Sequence, residues 1–172
     1  MVKLTMTDVR DSQVSELQRA LAIAAAVVDP EIPVLTLADL GVLRGVGLQD
    51  GLIVIRISPT YTGCPAVLAI EQAVDTALSD AGFTNARVER VLAPAWSTDE
   101  ITDAGRAKLK AYGIAPPSRT GKAKRLFASE TVHCPRCNSA ATTKLSEFGS
   151  TACKAQWRCD DCREPFDYFK CL

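Results

Sequence analysis

The sequence predicts a small two-layer α+β domain followed by a C-terminal four-cysteine module. Three observations carry this reading. Helical and strand-like segments alternate up to about residue 112, an Asp-Gly pair joins two apolar runs, and two CxxC pairs stand near the C-terminus. Residues 1–115 are expected to form the α+β domain, 116–128 a linker, and 129–172 the cysteine module.

The first element is a helix over Ser15 to Val28, rich in strong helix formers, with Leu17, Leu21, Ala24 and Val28 on one face. Asp11 or Ser12 is placed to cap its start. Asp29-Pro30 stops it, because the residue before proline is pushed out of the helical region. DPEIPVLTLADLG then reads as a loop holding three acids. Two strands follow, LGVLRGVGL and LIVIRIS, joined at Gln49-Asp50-Gly51 as a hairpin turn. PTYTGCP is a second loop, and Pro65 suits the first turn of a helix over AVLAIEQAVDTALSDAG, ending at Gly82. ARVERVLAP alternates as a third strand. Thr98 or Asp99 is expected to cap a last helix through Tyr112, with Gly113 at its end. Helices on one face of such a sheet make two layers.

Composition narrows the class. Hydrophobic residues make up 47% and charged residues 23%, so the chain can bury a core and is not expected to be disordered. Leu21 to Val28 is the longest uncharged apolar stretch and is too short to cross a bilayer. The N-terminus lacks an apolar signal core, so a cytoplasmic location is expected and no membrane partner. Net charge is zero, but residues 103–125 carry 7 Lys/Arg against one acid, while 1–102 carry 7 against 13. A solvated helix and linker explain the basic stretch more simply than a nucleic-acid patch, because residues 126–172 hold 6 of each sign.

In a reducing compartment, paired CxxC sequences point to metal or redox chemistry before structural disulfides. Six of the seven cysteines lie after residue 133. HCPRC and RCDDC supply Cys134, Cys137, Cys159 and Cys162, with 21 residues between the pairs. Each CxxC turn aims two sulfurs at one ion, and two turns complete a tetrahedral shell. TTKLSEF and KAQWRC between them read as strands, giving a zinc-ribbon-like layout. So short a module buries too little surface to fold without a metal. Structural Zn²⁺ is the expected cofactor, with iron or an iron–sulfur cluster as the alternative, since thiolates alone do not choose between them. Cys153 and Cys171 remain as additional thiols: buried small hydrophobes, a pair, or handlers of iron and sulfur. His133, beside the first ligand, reads as a bystander, and Trp96 and Trp157 as core anchors.

Cys64 precedes Pro65 at the mouth of a helix, where orphan N–H groups and the helix dipole favour a thiolate. The hairpin topology can bring Asp29, Glu31 and Asp39 near it. Two readings stand side by side: a reactive or metal-transfer cysteine, and a packed residue at a helix start. No GxSxG, P-loop, HExxH or dinucleotide fingerprint is present. One histidine cannot furnish the Glu-x-x-His pairs of a di-iron bundle, so no catalytic residue is assigned.

The segments DPEIPVLTLADLGVLRGV, SPTYTGCP and PAWSTDEIT resemble the SufT-like iron–sulfur assembly family. EFGSTACKAQWRC and CREPFDYFKC extend the likeness, and the combination resembles the PaaD family, the D subunits of bacterial phenylacetyl-CoA epoxidase systems. The resemblance implies an accessory protein of aerobic phenylacetate catabolism that matures or repairs an iron or iron–sulfur centre in the oxygenase or reductase. It carries a reactive cysteine onto Cys64 and an acidic loop onto Asp29, Glu31 and Asp39. The partners implied are the other subunits of that monooxygenase complex. The alternative is a structural or electron-relay subunit, and a nucleic-acid-binding ribbon is the remaining reading. The sequence leaves a homodimer open.

Overall fold

The computed structural model describes residues 6–61, 63–118 and 131–170. Helix α1 (Met6–Ala26) opens the chain, and a four-residue helix α2 (Leu37–Leu40) follows the acidic loop. Strands β1 (Leu43–Gln49) and β2 (Leu52–Ile57) form an antiparallel hairpin. Its turn is Asp50-Gly51, both at positive φ (52° and 79°), which matches the twist of the flanking strands. Helix α3 (Ala66–Asp80) crosses over to β3 (Ala86–Arg90), which pairs parallel with β2. Ile53, Ile55 and Ile57 on one face of β2 meet Ala20 and Ala24 of α1 and Ile70, Val74 and Leu78 of α3. The four-residue steps of α3 place those three side chains on one stripe.

Several boundaries differ from the sequence reading. Helix α1 starts at Met6, so Asp11 and Ser12 lie within it rather than at its cap. The predicted loop contains α2, built by a capping box in which Thr36 and Asp39 satisfy each other's backbone N–H. The predicted helix over 98–112 is two elements. Ser97 caps a 3₁₀ turn, Thr98–Glu100, and Thr102 then caps α4 (Asp103–Tyr112) by accepting from the Gly105 N–H at 3.0 Å. Two caps compete for one helix start in this Ser/Thr-rich run, and both are used.

Gly113 ends α4 in the left-handed conformation, and the chain enters β4 (Ile114–Ala115) at once. Strand β4 belongs to the second sheet, whose order is β4-β7-β6-β5, with β5 (Thr142–Ser146), β6 (Lys154–Cys159) and β7 (Pro165–Phe169) antiparallel in turn. β4 lies parallel to β7. Ile114, Cys153 and Phe169 enter the first core, while Ala115, Ala155, Phe166 and Tyr168 form a second, smaller core. This sheet therefore has one face on the α+β layers and one on its own module. Trp96, reached through a cis Ala93–Pro94 bond, seals the joint: it donates to Leu40 O at 2.9 Å and its ring lies 6.2 Å from Phe169.

The short α2 is fixed on α4 by close backbone approach. A Cβ on Gly41 (φ 68°) would stand 2.4 Å from Glu100 O, and one on Gly105 2.8 Å from Asp39 O. Lys108 Nζ lies 2.6 Å from Asp39 Oδ2, and Arg44, freed by a β1 bulge, pairs with Glu100. Burial alone would raise the Asp39 carboxyl, but Lys108 and Thr36 outweigh it and hold the carboxyl below its usual range.

Two expectations follow from this junction. Gly41→Ala should destabilise the fold in urea by about 3 kcal/mol or more, since strain and clash add, whereas Gly51→Ala, with open space around it, should cost about 1–2 kcal/mol. Equal losses would show that the Glu100 approach is unimportant. Because the folded pKa of Asp39 lies below its unfolded value, its stabilisation is present above about pH 4 and is lost as pH falls below that. Asp39→Asn should accordingly flatten the acid limb of the unfolding curve.

Candidate metal centre

Two turns build the centre. In the first, the Asn138 N–H donates to Cys134 O and the Cys134 N–H to Ser139 O, both at 2.9 Å, with Asn138 left-handed at φ 61°. In the second, the Cys159 N–H donates to Glu164 O at 2.9 Å, and Arg163 is left-handed at φ 65°. Each turn reverses the chain just after its second cysteine, so both sulfurs of each pair face inward. Strands β6 and β7 carry the second turn; Thr142, at the start of β5, ties down the first through its hydroxyl on Val132 O at 2.7 Å.

All four sulfurs lie within 4.8 Å of one another, with Cys137–Cys159 at 3.5 Å and Cys134–Cys162 at 3.8 Å. A tetrahedral shell with metal–sulfur bonds near ~2.3 Å has sulfur–sulfur edges of about 3.8 Å. The donor set fits a metal ion, and the four cysteines, none of them in a disulfide, form a metal-binding group. The Cys162 N–H donates to Cys159 Sγ and is the main reason its thiol is lowered to about 7. At Cys137 the Ser139 N–H favours the thiolate, yet the proton shared with Cys159 pushes the thiol up to about 12. A metal binds such a cluster through thiolates, so its binding releases protons.

The second cysteine site predicted from sequence lies elsewhere. Cys64, half-buried just before α3, lines a cavity of about 30 Å³ together with Asp29, Glu31, Ile57, Cys153 and Phe169. Asp29 Oδ1 accepts from the N–H groups of Glu31 (2.9 Å) and Ile32 (2.8 Å), which folds the acidic loop around it. Burial nevertheless raises the Asp29 carboxyl. Cys153 Sγ lies 3.8 Å from Glu31 Oε2 and 3.0 Å from the Thr151 hydroxyl, and burial pushes its thiol up. Tyr61, hydrogen-bonded to Cys64, is pushed up to about 12 by burial and then by Cys64, Glu31 and Cys153.

Asp39 does not line this cavity; it is held by Lys108 and Thr36. The structure therefore brings Cys64, Asp29 and Glu31 together with Cys153, and sets Asp39 apart. Cys171 lies outside the described residues. His133 is exposed, with Nδ1 3.2 Å from Asn138 O, and is not among the clustered ligands. Trp96 is a core anchor; Trp157 is half-buried, edge-on to Tyr168. Three cations of the basic stretch are engaged within the protein: Arg106 with Ile101 O, Lys108 with Asp39, and Lys110 with Asn138 Oδ1. Tyr61 and Lys154 fall in segments the sequence singles out, but their roles escaped it, because local spacing does not show the distant groups they meet.

Removing the ion should unfold the second module selectively. Chelation is expected to abolish the Trp157 near-ultraviolet signal and expose 131–170 to protease, and Cys159→Ser should lose the bound equivalent of metal. Metal-free protein with an unchanged spectrum would contradict a metal-dependent fold.

Comparison with known proteins places these units. Residues 15–90 match the family model described as "Iron-sulfur cluster assembly protein", and residues 118–170 match "PaaD zinc beta ribbon domain". A protein of Escherichia coli (strain K12) named for the D subunit of 1,2-phenylacetyl-CoA epoxidase is 50% identical over 151 residues, covering 88% of this chain and 90% of its own. A Bacillus anthracis domain-of-unknown-function (DUF59) crystal structure aligns at TM-score 0.53 and 26% identity, over 58% of this chain and 96% of that one. The solution structure of Rv1466 from Mycobacterium tuberculosis, titled as a protein associated with [Fe-S] complex assembly and repair, is 34% identical at TM-score 0.34, over 58% of this chain and 87% of its own. An assembly-type α+β unit, a metal-binding ribbon and half-identity along nearly the whole length together make this chain a member of the PaaD family, the D subunits of 1,2-phenylacetyl-CoA epoxidase.

Proposed function

We propose that this chain is an accessory protein of a phenylacetyl-CoA epoxidase system in aerobic phenylacetate breakdown. It assists the maturation or repair of an iron or iron–sulfur centre in the partner oxygenase or reductase. The observation that carries the reading is the Cys64 thiol, set in a cavity beside Asp29 and Glu31 within the segment that matches the assembly family. The thiol and the two carboxyl-bearing residues line one small, mainly apolar cavity of about 30 Å³.

The ribbon ion is structural zinc in this reading. A closed four-thiolate shell leaves no position for substrate, so the ion supplies folding free energy rather than catalysis. Oxygen activation belongs to another subunit, because the chain has a single histidine. The other epoxidase subunits are its partners, in the cytoplasm. Among the described residues no helix is long and apolar enough to cross a membrane.

Cys64→Ser swaps one half-buried small side chain for another and should leave unfolding and the ribbon metal nearly unchanged. In cells making only this variant, the iron content and activity of the partner oxygenase should fall several-fold. Full iron loading with the variant would end the assembly proposal.

A further inference from the structure

Three of the four outer strands of the two sheets are blunted. β1 and β5 each carry a bulge, at Leu43/Gly45 and at Lys144/Ser146, and β4 is two residues long. β3 differs. Its five residues, Ala86–Arg90, run in unbroken parallel register with β2, and among the described residues no strand lies on its other side. None of the five is buried. The phase of its hydrogen bonds is fixed at both ends, where the Ile53 N–H donates to Asn85 O and the Val91 N–H to Ile57 O, each at 2.8 Å. Bonding residues alternate along a parallel strand, so Asn85, Arg87, Glu89 and Val91 turn their backbone groups to β2. The N–H and C=O groups of Ala86, Val88 and Arg90 point the other way, off the sheet. Side chains alternate too. Arg90 lies on the helix side, 2.9 Å from Glu71 of α3, while Arg87 and Glu89 stand together on the opposite face.

We propose that β3 is the interface of a homodimer, in which the β3 strands of two copies pair antiparallel about a two-fold axis at Val88 and join their sheets into one. The free backbone groups fit this pairing. Val88 meets Val88 of the second copy, and Ala86 and Arg90 meet Arg90 and Ala86 of the second copy. These are the residues with unused N–H and C=O groups, and each such pair exchanges two hydrogen bonds. Charge selects the register. Arg87 stands opposite Glu89 of the second copy, and Glu89 opposite its Arg87, at the positions where cross-strand side chains come closest. Sliding the strands by two residues keeps the hydrogen-bond phase but sets Arg87 against Arg87 or Glu89 against Glu89, and like charges directly opposite are destabilising. A slip of one residue sets unused groups against groups already bonded to β2. Within one chain Arg87 and Glu89 hold each other loosely, at 3.8 Å with side chains 48% and 40% exposed, so little is lost in exchanging that contact for two across the axis. The two-fold axis uses the one free edge of each copy and closes the assembly at two chains. Neither Cys64 nor the ribbon takes part, so the dimer stands apart from the assembly role.

The test follows the mass of the full chain, with its ribbon metal bound, by sedimentation equilibrium across a range of concentrations at low salt. The parent should pass from monomer to dimer as concentration rises, and added salt should weaken the dimer. Arg87→Glu and Glu89→Arg should each weaken it by about tenfold or more, since both cross-axis pairs turn from attractive to repulsive. Mixed in equal amounts, the two variants should form a heterodimer, because every cross-axis pair is then of opposite sign. Arg87→Glu and Glu89→Arg in one chain should restore the homodimer to within about threefold of the parent. Val88→Pro removes one unused N–H, which an edge strand tolerates, and should leave a folded monomer. If that variant does not fold, the charge exchanges decide alone. A parent that stays monomeric up to about 1 mM overturns the interface. So does a folded Val88→Pro chain that still dimerises, an Arg87→Glu chain that dimerises like the parent, or failure of the mixture and the double exchange to pair.

Discussion

Four sulfurs drawn within 4.8 Å of each other are the constraint on which the second half of this protein depends. Backbone N–H groups at the turns point at these sulfurs: that of Cys162 lies on Cys159 Sγ and favours its thiolate. The apolar core beside it is small, formed by Ala115, Val132, Ala155, Phe166 and Tyr168 with two of the ligands themselves. So slight a core does not offset the conformational entropy of ordering the module around it. The four clustered sulfurs are what the two turns have in common, and β6 and β7, which lead from them, also carry Cys153 and Phe169 against the first unit.

Much of this was legible in the sequence, for identifiable reasons. The CxxC pairs announce their own geometry, because a two-residue spacer leaves few ways to direct two sulfurs. The hairpin was legible at Asp50-Gly51, and α3 between Pro65 at its start and Gly82 beyond its end. What the sequence hid depends on long-range pairing. Strand β4 is two residues long and has no periodicity; it exists because β7 offers it an edge. The break in the helix over 98–112 turns on a choice between Ser97 and Thr102 as caps, decided by the fit of α2 against α4. The acidic loop held three plausible candidates, and local spacing could not sort them. Asp39 went to Lys108, a partner 69 positions away, while Glu31 went to the cavity.

Alternation along the ribbon strands explains how one small sheet serves two cores. Ile114 faces the α+β unit and Ala115 the ribbon; Phe169 and Tyr168 divide in the same way. The period of two in a strand makes this possible without extra chain. Lys154, 5% exposed, follows Cys153 and spends its charge on Asp167, which keeps a buried ammonium from standing alone beside the cavity.

Strand β4 has a consequence for how the molecule moves. It follows α4 without a spacer, and it is hydrogen-bonded to β7 although residues 119–130 still lie ahead of it in the chain. The two halves therefore share a structural member upstream of the segment that links them in sequence. A strand that leads straight out of α4 and is hydrogen-bonded to β7 couples the two through backbone as well as side chains, so pulling one sheet edge loads the other unit directly.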